Sequence, residues 1–331
     1  MNHLIASDPD RNLALELVRT TEAAAMAAGR WMGRGDKNAA DQAAVTAMRT
    51  MFNTISMDGV VVIGEGEKDQ APMLYNGERL GTGEPPPVDI AVDPIDGTRL
   101  TAMGLPGAIA VAALSERGTL YSPRHIVYMN KIAVGPAARG MVSLDAPVID
   151  NLRRVAKALD KDLNDLTVVV LDRPRHAQLL ADIRAAGARI KLIPDGDVSG
   201  GLMTAIEDSG VDMLMGIGGS PEAVITACAL KCLGGEIQCT LWPRDEDERR
   251  RGLDMGLELD RVLTTDDLVG GENVFFVATG VTDGEWLTGV KYSGRGAHTL
   301  SVVMRSRSGT VRMVEARHSL DKLAQLTSLY G

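Results

Sequence analysis

The chain has 331 residues, 45% of them hydrophobic, 24% charged and only 3% aromatic, the balance of a globular protein with a large core of Leu, Ile, Val, Met and Ala. With 44 acidic against 35 basic residues its formal net charge is −9, which argues against a general nucleic-acid-binding surface, and no stretch approaches the ~20 apolar residues that span a bilayer. The three cysteines, Cys228, Cys232 and Cys239, have no CxxC pair or neighbouring histidine and read as buried packing in a reduced, cytoplasmic chain.

In chain order, Asp10 can cap a helix whose apolar positions Leu13, Leu17, Ala24, Ala28 and Trp31 follow helical spacing until Gly33 and Gly35 interrupt it. A second, alanine-rich helix is expected from about Ala39 to Phe52, with Asp41 near its first turn, where the helix dipole favours a carboxylate. The β-branched run Val60 to Ile63 and the segment Val88 to Val92 read as buried strands, separated by a Gly/Pro-rich loop over Gly81 to Pro87. Further strands are expected at Ala108 to Leu114 and Met129 to Val134.

From Asn151 the pattern alternates: a helix to Leu159, strand Thr167 to Leu171, helix Ala177 to Ala186, strand Arg189 to Ile193, a helix after Asp197 and strand Val211 to Met215. Such alternation predicts an α/β fold with a largely parallel, helix-covered sheet. The next helix is bounded by Ser220 at its cap, Pro221 in its first turn and Gly234-Gly235 beyond its end. The run Asp245 to Arg251 reads as a solvated helix face, and Thr299 to Arg305 with Thr310 to Glu315 as a hairpin about Ser308-Gly309, followed by a short final helix. Two closely packed halves are expected, an α+β half over 1–150 and an α/β half over 151–331.

The chemistry gathers where carboxylates follow predicted strands. Val60 to Ile63 runs into Gly64-Glu65-Gly66-Glu67, and Ile90 to Val92 runs into Asp93-Pro94-Ile95-Asp96-Gly97-Thr98. Ligands of open α/β sheets bind at the carboxyl ends of strands, so neighbouring strands would bring Glu65, Asp93 and Asp96 into one cleft. Their mutual repulsion calls for a hard divalent cation, Mg²⁺ or Mn²⁺. Gly97 and Thr98 could turn successive backbone amides toward a phosphate, and Thr98 could help orient water. Each motif taken singly also fits an ordinary turn or helix cap.

Asp93 to Thr98 with Glu65 upstream resembles the signature of the lithium-sensitive, magnesium-dependent phosphatase superfamily. Within it, Trp31 to Asn38, Ile63 to Glu67, Ala71 to Tyr75, Arg173 to His176, Pro194 to Asp197 and Gly216 to Glu222 resemble the class II fructose-1,6-bisphosphatases, over Asn12 to His318. The resemblance implies a layered α-β-α-β-α fold with two sheets sandwiched by helices. It implies metal ligation by Asp41, Glu65, Asp93, Asp96 and Glu222, and water activation by Asp69 and Thr98. Substrate would be bound by Tyr128, Arg173, Arg175, Asp195 and Asp197, with Lys37, Asp96 and the Gly97-Thr98 turn near phosphate.

Asp96 and Arg173 stand where some relatives carry Glu and Lys, which preserves charge but alters geometry. The activity implied is hydrolysis of the 1-phosphate of fructose 1,6-bisphosphate, a step of gluconeogenesis, by a homo-oligomer, dimer or tetramer, with no nucleic-acid or membrane partner. A preference for sedoheptulose 1,7-bisphosphate stays open. From another class, a non-catalytic nucleotide-binding module is supported only by Gly216-Ile217-Gly218-Gly219, which is not a GxGxxG fingerprint.

Overall fold

The computed structural model describes residues 12–66, 73–123 and 125–326. In chain order it contains α1 (Ala14–Gly29), α2 (Lys37–Phe52), β1 (Asp58–Ile63), β2 (Arg79–Leu80), β3 (Pro87–Asp96), α3 (Thr98–Met103), β4 (Ile109–Glu116) and β5 (Tyr128–Val134). There follow α4 (Val148–Ala158), β6 (Thr167–Leu171), α5 (Ala177–Ala186), β7 (Arg189–Ile193), α6 (Asp197–Met203), β8 (Met213–Gly219), α7 (Ser220–Leu233) and β9 (Glu236–Trp242). The chain closes with α8 (Glu246–Asp254), α9 (Thr265–Leu268), β10 (Phe275–Gly280), β11 (Lys291–Ser293), β12 (Gly296–Arg305), β13 (Thr310–Ser319) and α10 (Leu320–Leu326).

The strands form two mixed sheets, one of eight in the order β11-β12-β10-β4-β3-β1-β2 with β13 paired to β12, and one of five in the order β7-β6-β8-β5-β9. Period-two alternation then dictates the layers. On β4, Ala110, Ala112 and Leu114 pack with Leu17, Met48 and Phe52 of α1 and α2. Ile109, Val111 and Ala113 of the same strand face the other way, onto Val224, Ala227 and Cys228 of α7. The second sheet does the same: Ala133, Val169 and Leu214 turn toward α7, while Ile132, Val168 and Val170 turn toward Leu152 of α4 and Ile183 of α5. The architecture is therefore a five-layer α-β-α-β-α sandwich, as the family resemblance implies.

The central helix explains its own composition. Its segment SPEAVITACALKCL is buried on nearly every side, which is what a helix between two sheets requires. Cys228 and Cys232 lie on it and Cys239 on β9, all three free and buried, with burial pushing the thiols of Cys232 and Cys239 up to about 12.

Several local expectations are corrected. Asp10 lies outside the described residues; the first turn of α1 is served by Asn12, whose Oδ1 accepts from Ala14 N at 3.2 Å. Helix α2 begins at Lys37 under a cap from Asp36, so Asp41 sits in its second turn and the dipole role passes to Asp36. Gly219, not Ser220, is the cap of α7, and the buried Ser220 hydroxyl has no partner among the described residues. The second sheet is only partly parallel: β6 runs parallel to β7 and β8, but β5 enters between β8 and β9, antiparallel to both. Sequence alternation identifies crossovers but says nothing of a strand contributed from elsewhere in the chain. The predicted hairpin forms, with Arg305 opposite Thr310. No helix among the described residues is long and apolar enough to cross a membrane.

Candidate active site

Strands β1 and β3 are parallel neighbours, with Gly59 opposite Val88 and Val61 opposite Ile90. Their carboxyl ends consequently lie side by side, and Glu65 beyond β1 and Asp93 and Asp96 near the end of β3 line one cavity of about 850 Å³. A register irregularity between β3 and β4 falls between Asp93 and Asp96 and lets both aspartates reach the cavity despite their spacing. Asp41 from α2 and Glu222 from the first turn of α7 line it too.

These groups feel one another. Burial, then the charges of Asp41 and Glu222, push the Glu65 carboxyl up to about 8. Asp93 is raised by burial and by Asp96, Glu222 and Glu65, against one lowering contact from Ile95 N, which donates to its Oδ1 at 2.9 Å. Asp96 is raised by burial and by Asp197 and Glu222, and Glu222 by burial and Asp197, opposed by Lys131. Burial raises Asp41.

Two observations bear on a cation. Among the described residues the Oε2 atom of Glu222 is buried without a hydrogen-bond partner, and the donor set is all carboxylate oxygen, the chemistry hard divalent cations take. Among the described residues, however, no three His, Cys, Asp or Glu side chains are gathered closely enough to form a ready-made nest. The carboxylates share a cavity without being a finished coordination sphere.

The other walls carry the polyol and phosphate candidates. Tyr128, Arg173, Arg175, Asp195, Asp197, Gly97 and Thr98 all line the cavity. Gly97 takes the left-handed conformation, φ 94°, and starts α3. One amide of that turn is already engaged, since Arg99 N donates to Asp195 Oδ2 at 3.3 Å, and Thr98 Oγ1 donates to Ile95 O at 3.2 Å. Arg173 pairs with Asp195 at 3.3 Å. Arg175 stacks on the Tyr128 ring, 4.8 Å from its centroid, while donating to Ile217 O. Asp197 is buried against Lys131, Nζ to Oδ2 2.6 Å.

Lys37 does not join this assembly: it is exposed at the first residue of α2 and is absent from the cavity wall. Asp69 lies outside the described residues.

Four residues near the site escape sequence reasoning. Lys131 is 2% exposed; a lone lysine inside the predicted strand Met129 to Val134 is the signal that could have marked it. His176 is held neutral between Leu171 O, 2.7 Å from Nδ1, and Ile217 N, which donates to Nε2 at 2.7 Å, and burial lowers its pKa. Arg251 lines the cavity from the charged run, where composition suggests only a solvated face, and Arg244 lines it from the residue just before that run.

A five-layer α/β fold with acidic strand ends and arginines around one cavity is the frame of an enzyme that handles anionic ligands. The chain belongs to the family described as bacterial fructose-1,6-bisphosphatase, glpX-encoded, whose pattern matches residues 11–318. It is 46% identical over 325 residues, 94% of this chain and 96% of the relative, to fructose-1,6-bisphosphatase 1 class 2 of Escherichia coli K12. The same values hold for fructose-1,6-bisphosphatase class 2 of Escherichia coli O6:H1 and of Shigella flexneri.

Proposed function

We infer that this chain hydrolyses the 1-phosphate of fructose 1,6-bisphosphate, giving fructose 6-phosphate and inorganic phosphate, the bisphosphatase step of gluconeogenesis. The observation that carries the reading is a single cavity shared by Glu65, Asp93, Asp96, Arg173 and Arg175 in a chain 46% identical to proteins named for this reaction.

Asp41, Glu65, Asp93, Asp96 and Glu222 would hold Mg²⁺ or Mn²⁺; the mutual repulsion of these carboxylates and the orphaned Glu222 oxygen support the assignment. Such an ion supplies neutralisation of the phosphate oxygens and of the departing alkoxide. Asp69 and Thr98 orient the attacking water; Thr98 spends its proton on Ile95 O and so keeps its oxygen as an acceptor. The water oxygen joins phosphorus as the bond to the sugar oxygen breaks, without a covalent phosphoenzyme. Tyr128, Arg173, Arg175, Asp195 and Asp197 bind and orient the sugar phosphate, beside Gly97. Lys37 has no place in this assignment.

The Asp93 to Thr98 turn supports grouping the family with the lithium-sensitive, magnesium-dependent phosphatases. The two chain halves act as one unit, because one apolar core joins Ala113 of the larger sheet to Leu214 of the smaller through α7. The resemblance supports a cytoplasmic homo-oligomer.

The test is phosphate release by the purified protein from fructose 1,6-bisphosphate, with and without Mg²⁺ or Mn²⁺, beside sedoheptulose 1,7-bisphosphate and inositol monophosphate. Ion-dependent release, fastest from the fructose compound, is expected. No release with either ion overturns the reading.

A further inference from the structure

Strands β6 and β8 run parallel, with Val168 opposite Met213 and Val169 opposite Leu214, and among the described residues their pairing goes no further toward the cavity. Beyond that point the strands part, and His176 fills the fork. We propose that His176 is a positioning residue: set between Leu171 and Ile217 like a splice in the sheet, its imidazole fixes the Ile217 carbonyl that holds the Arg175 guanidinium against Tyr128. This deepens the bisphosphatase reading and rests on it, because Arg175 enters that reading as a ligand of the sugar phosphate.

The register explains the splice. Continued without a break, the pairing would set Leu171 opposite Gly216, and in a parallel ladder the Leu171 carbonyl would then take the Ile217 amide directly. Instead the ring stands between the two groups: Nδ1 lies 2.7 Å from Leu171 O, and Ile217 N donates to Nε2 at 2.7 Å. A backbone amide can only donate, so Nε2 accepts, and the single proton of a neutral imidazole sits on Nδ1 and is donated to Leu171 O. One buried side chain thereby satisfies both ladder groups that the fork would orphan. Gly216 makes room for it. Its φ is 123°, and a Cβ there would come 2.9 Å from Nε2 and 3.2 and 3.3 Å from two ring carbons.

In an extended strand the N–H and C=O of one residue leave on the same side, so the Ile217 carbonyl also faces the fork. There it accepts Arg175 Nε at 3.2 Å and a terminal nitrogen at 2.8 Å. Arg175 and His176 are consecutive in the 3₁₀ turn Pro174–His176, which closes as His176 N donates to Arg173 O at 2.9 Å. Two adjacent side chains of one turn therefore stand in for the missing strand, the imidazole on the amide and the guanidinium on the carbonyl. The guanidinium so held lies 4.8 Å from the centroid of the Tyr128 ring, and Arg175 and Tyr128 both line the cavity. Burial, with the charges of Arg175 and Arg173, lowers the pKa of the ring from its ordinary 6.5 and so favours the neutral form that both donates and accepts.

Kinetics and a spectroscopic readout test this together. Arg175→Ala is expected to raise KM for fructose 1,6-bisphosphate about tenfold or more, with kcat within about threefold. His176→Phe keeps a ring without either nitrogen; it should raise KM by a similar factor, yet add less than about twofold in an Arg175→Ala background. His176→Gln, whose amide both donates and accepts, should restore KM to within about threefold of wild type. In ¹⁵N spectra of the wild-type imidazoles, with the His176 signals identified by their loss in His176→Gln, Nδ1 should be protonated and Nε2 bare at neutral pH. Unchanged KM in His176→Phe, with Arg175→Ala impaired, overturns the positioning role alone. His176→Gln as impaired as His176→Phe, or a ring protonated on Nε2, also overturns it, and these two measurements decide the matter if His176→Phe does not fold. An unimpaired Arg175→Ala, or a wild type that releases no phosphate, removes the underlying reading and the positioning role with it.

Discussion

Lys131 Nζ stands 2.6 Å from Asp197 Oδ2 in an ion pair almost sealed from solvent, the side chains 2% and 7% exposed. Asp197 opens α6 and Lys131 is in mid-strand on β5, so one bond joins two layers beside the acidic cavity. Glu222 also contributes to keeping this lysine charged. Lys131→Met should destabilise the protein by about 3–5 kcal/mol, because a buried carboxylate loses its countercharge. Urea unfolding measures this, and a change under about 1 kcal/mol would show that water replaces the ammonium.

The Asp93 carboxyl is buried and raised further by the neighbouring charges of Asp96, Glu222 and Glu65. Asp93→Asn is expected to lower phosphate release by at least about a thousandfold, while relieved repulsion leaves the ion-free fold as stable as wild type or more so. Parallel assays of turnover and thermal unfolding decide it; a variant with full, cation-dependent activity contradicts the role given to Asp93.

Gly219 has an ordinary backbone conformation, φ −64°, so its lack of a side chain matters for space alone. A Cβ there would lie 1.8 Å from Glu222 Oε2. Gly219→Ala must therefore displace that carboxylate, and the cation concentration for half-maximal activity should rise about tenfold or more. Titration of activity against Mn²⁺ reads this out, with circular dichroism reporting a retained fold.

Glu22 predicts a pH dependence far from the cavity. Burial in α1 pushes its carboxyl up to about 7, against lowering contributions from the Thr299 hydroxyl and Arg19. The folded state thus holds a proton that the unfolded chain releases near its ordinary 4.5, so this contribution is complete below that value and declines as pH rises to about 7. Neighbouring His318, 4.0 Å from Glu22 and lowered by burial and His298, acts in the opposite sense below its ordinary value of 6.5. Subtracting the Glu22→Gln stability curve from the wild-type curve isolates the glutamate. The difference should fall between pH 4.5 and 7 by on the order of 3 kcal/mol or less; a flat difference refutes the shifted carboxyl.

Local order was written plainly in the chain. The β-branched run at Val60 to Ile63, the buried segment Val88 to Val92, the alternation after Asn151, Pro221 and the terminal Gly234, and carboxylates placed just beyond strands each depend on neighbours a few positions apart. That is enough to mark the α/β class, many of its helices and strands and the acidic cluster; the layered sandwich and the places of Arg173 and Arg175 rest on the family resemblance.

Only the tertiary structure decided which distant segments share a wall. It inserted β5 antiparallel between β8 and β9, paired Lys131 with Asp197 and turned one glutamate of an apparently solvated run into the buried Glu248, while leaving Lys37 outside the cavity. The physical reason is that burial and charge pairing are set by contacts across tens to hundreds of positions, 66 between Lys131 and Asp197 and 121 between Val127 and Glu248. Periodicity and composition record what a residue is next to along the chain; the electrostatic environment of a side chain depends on what the fold brings against it.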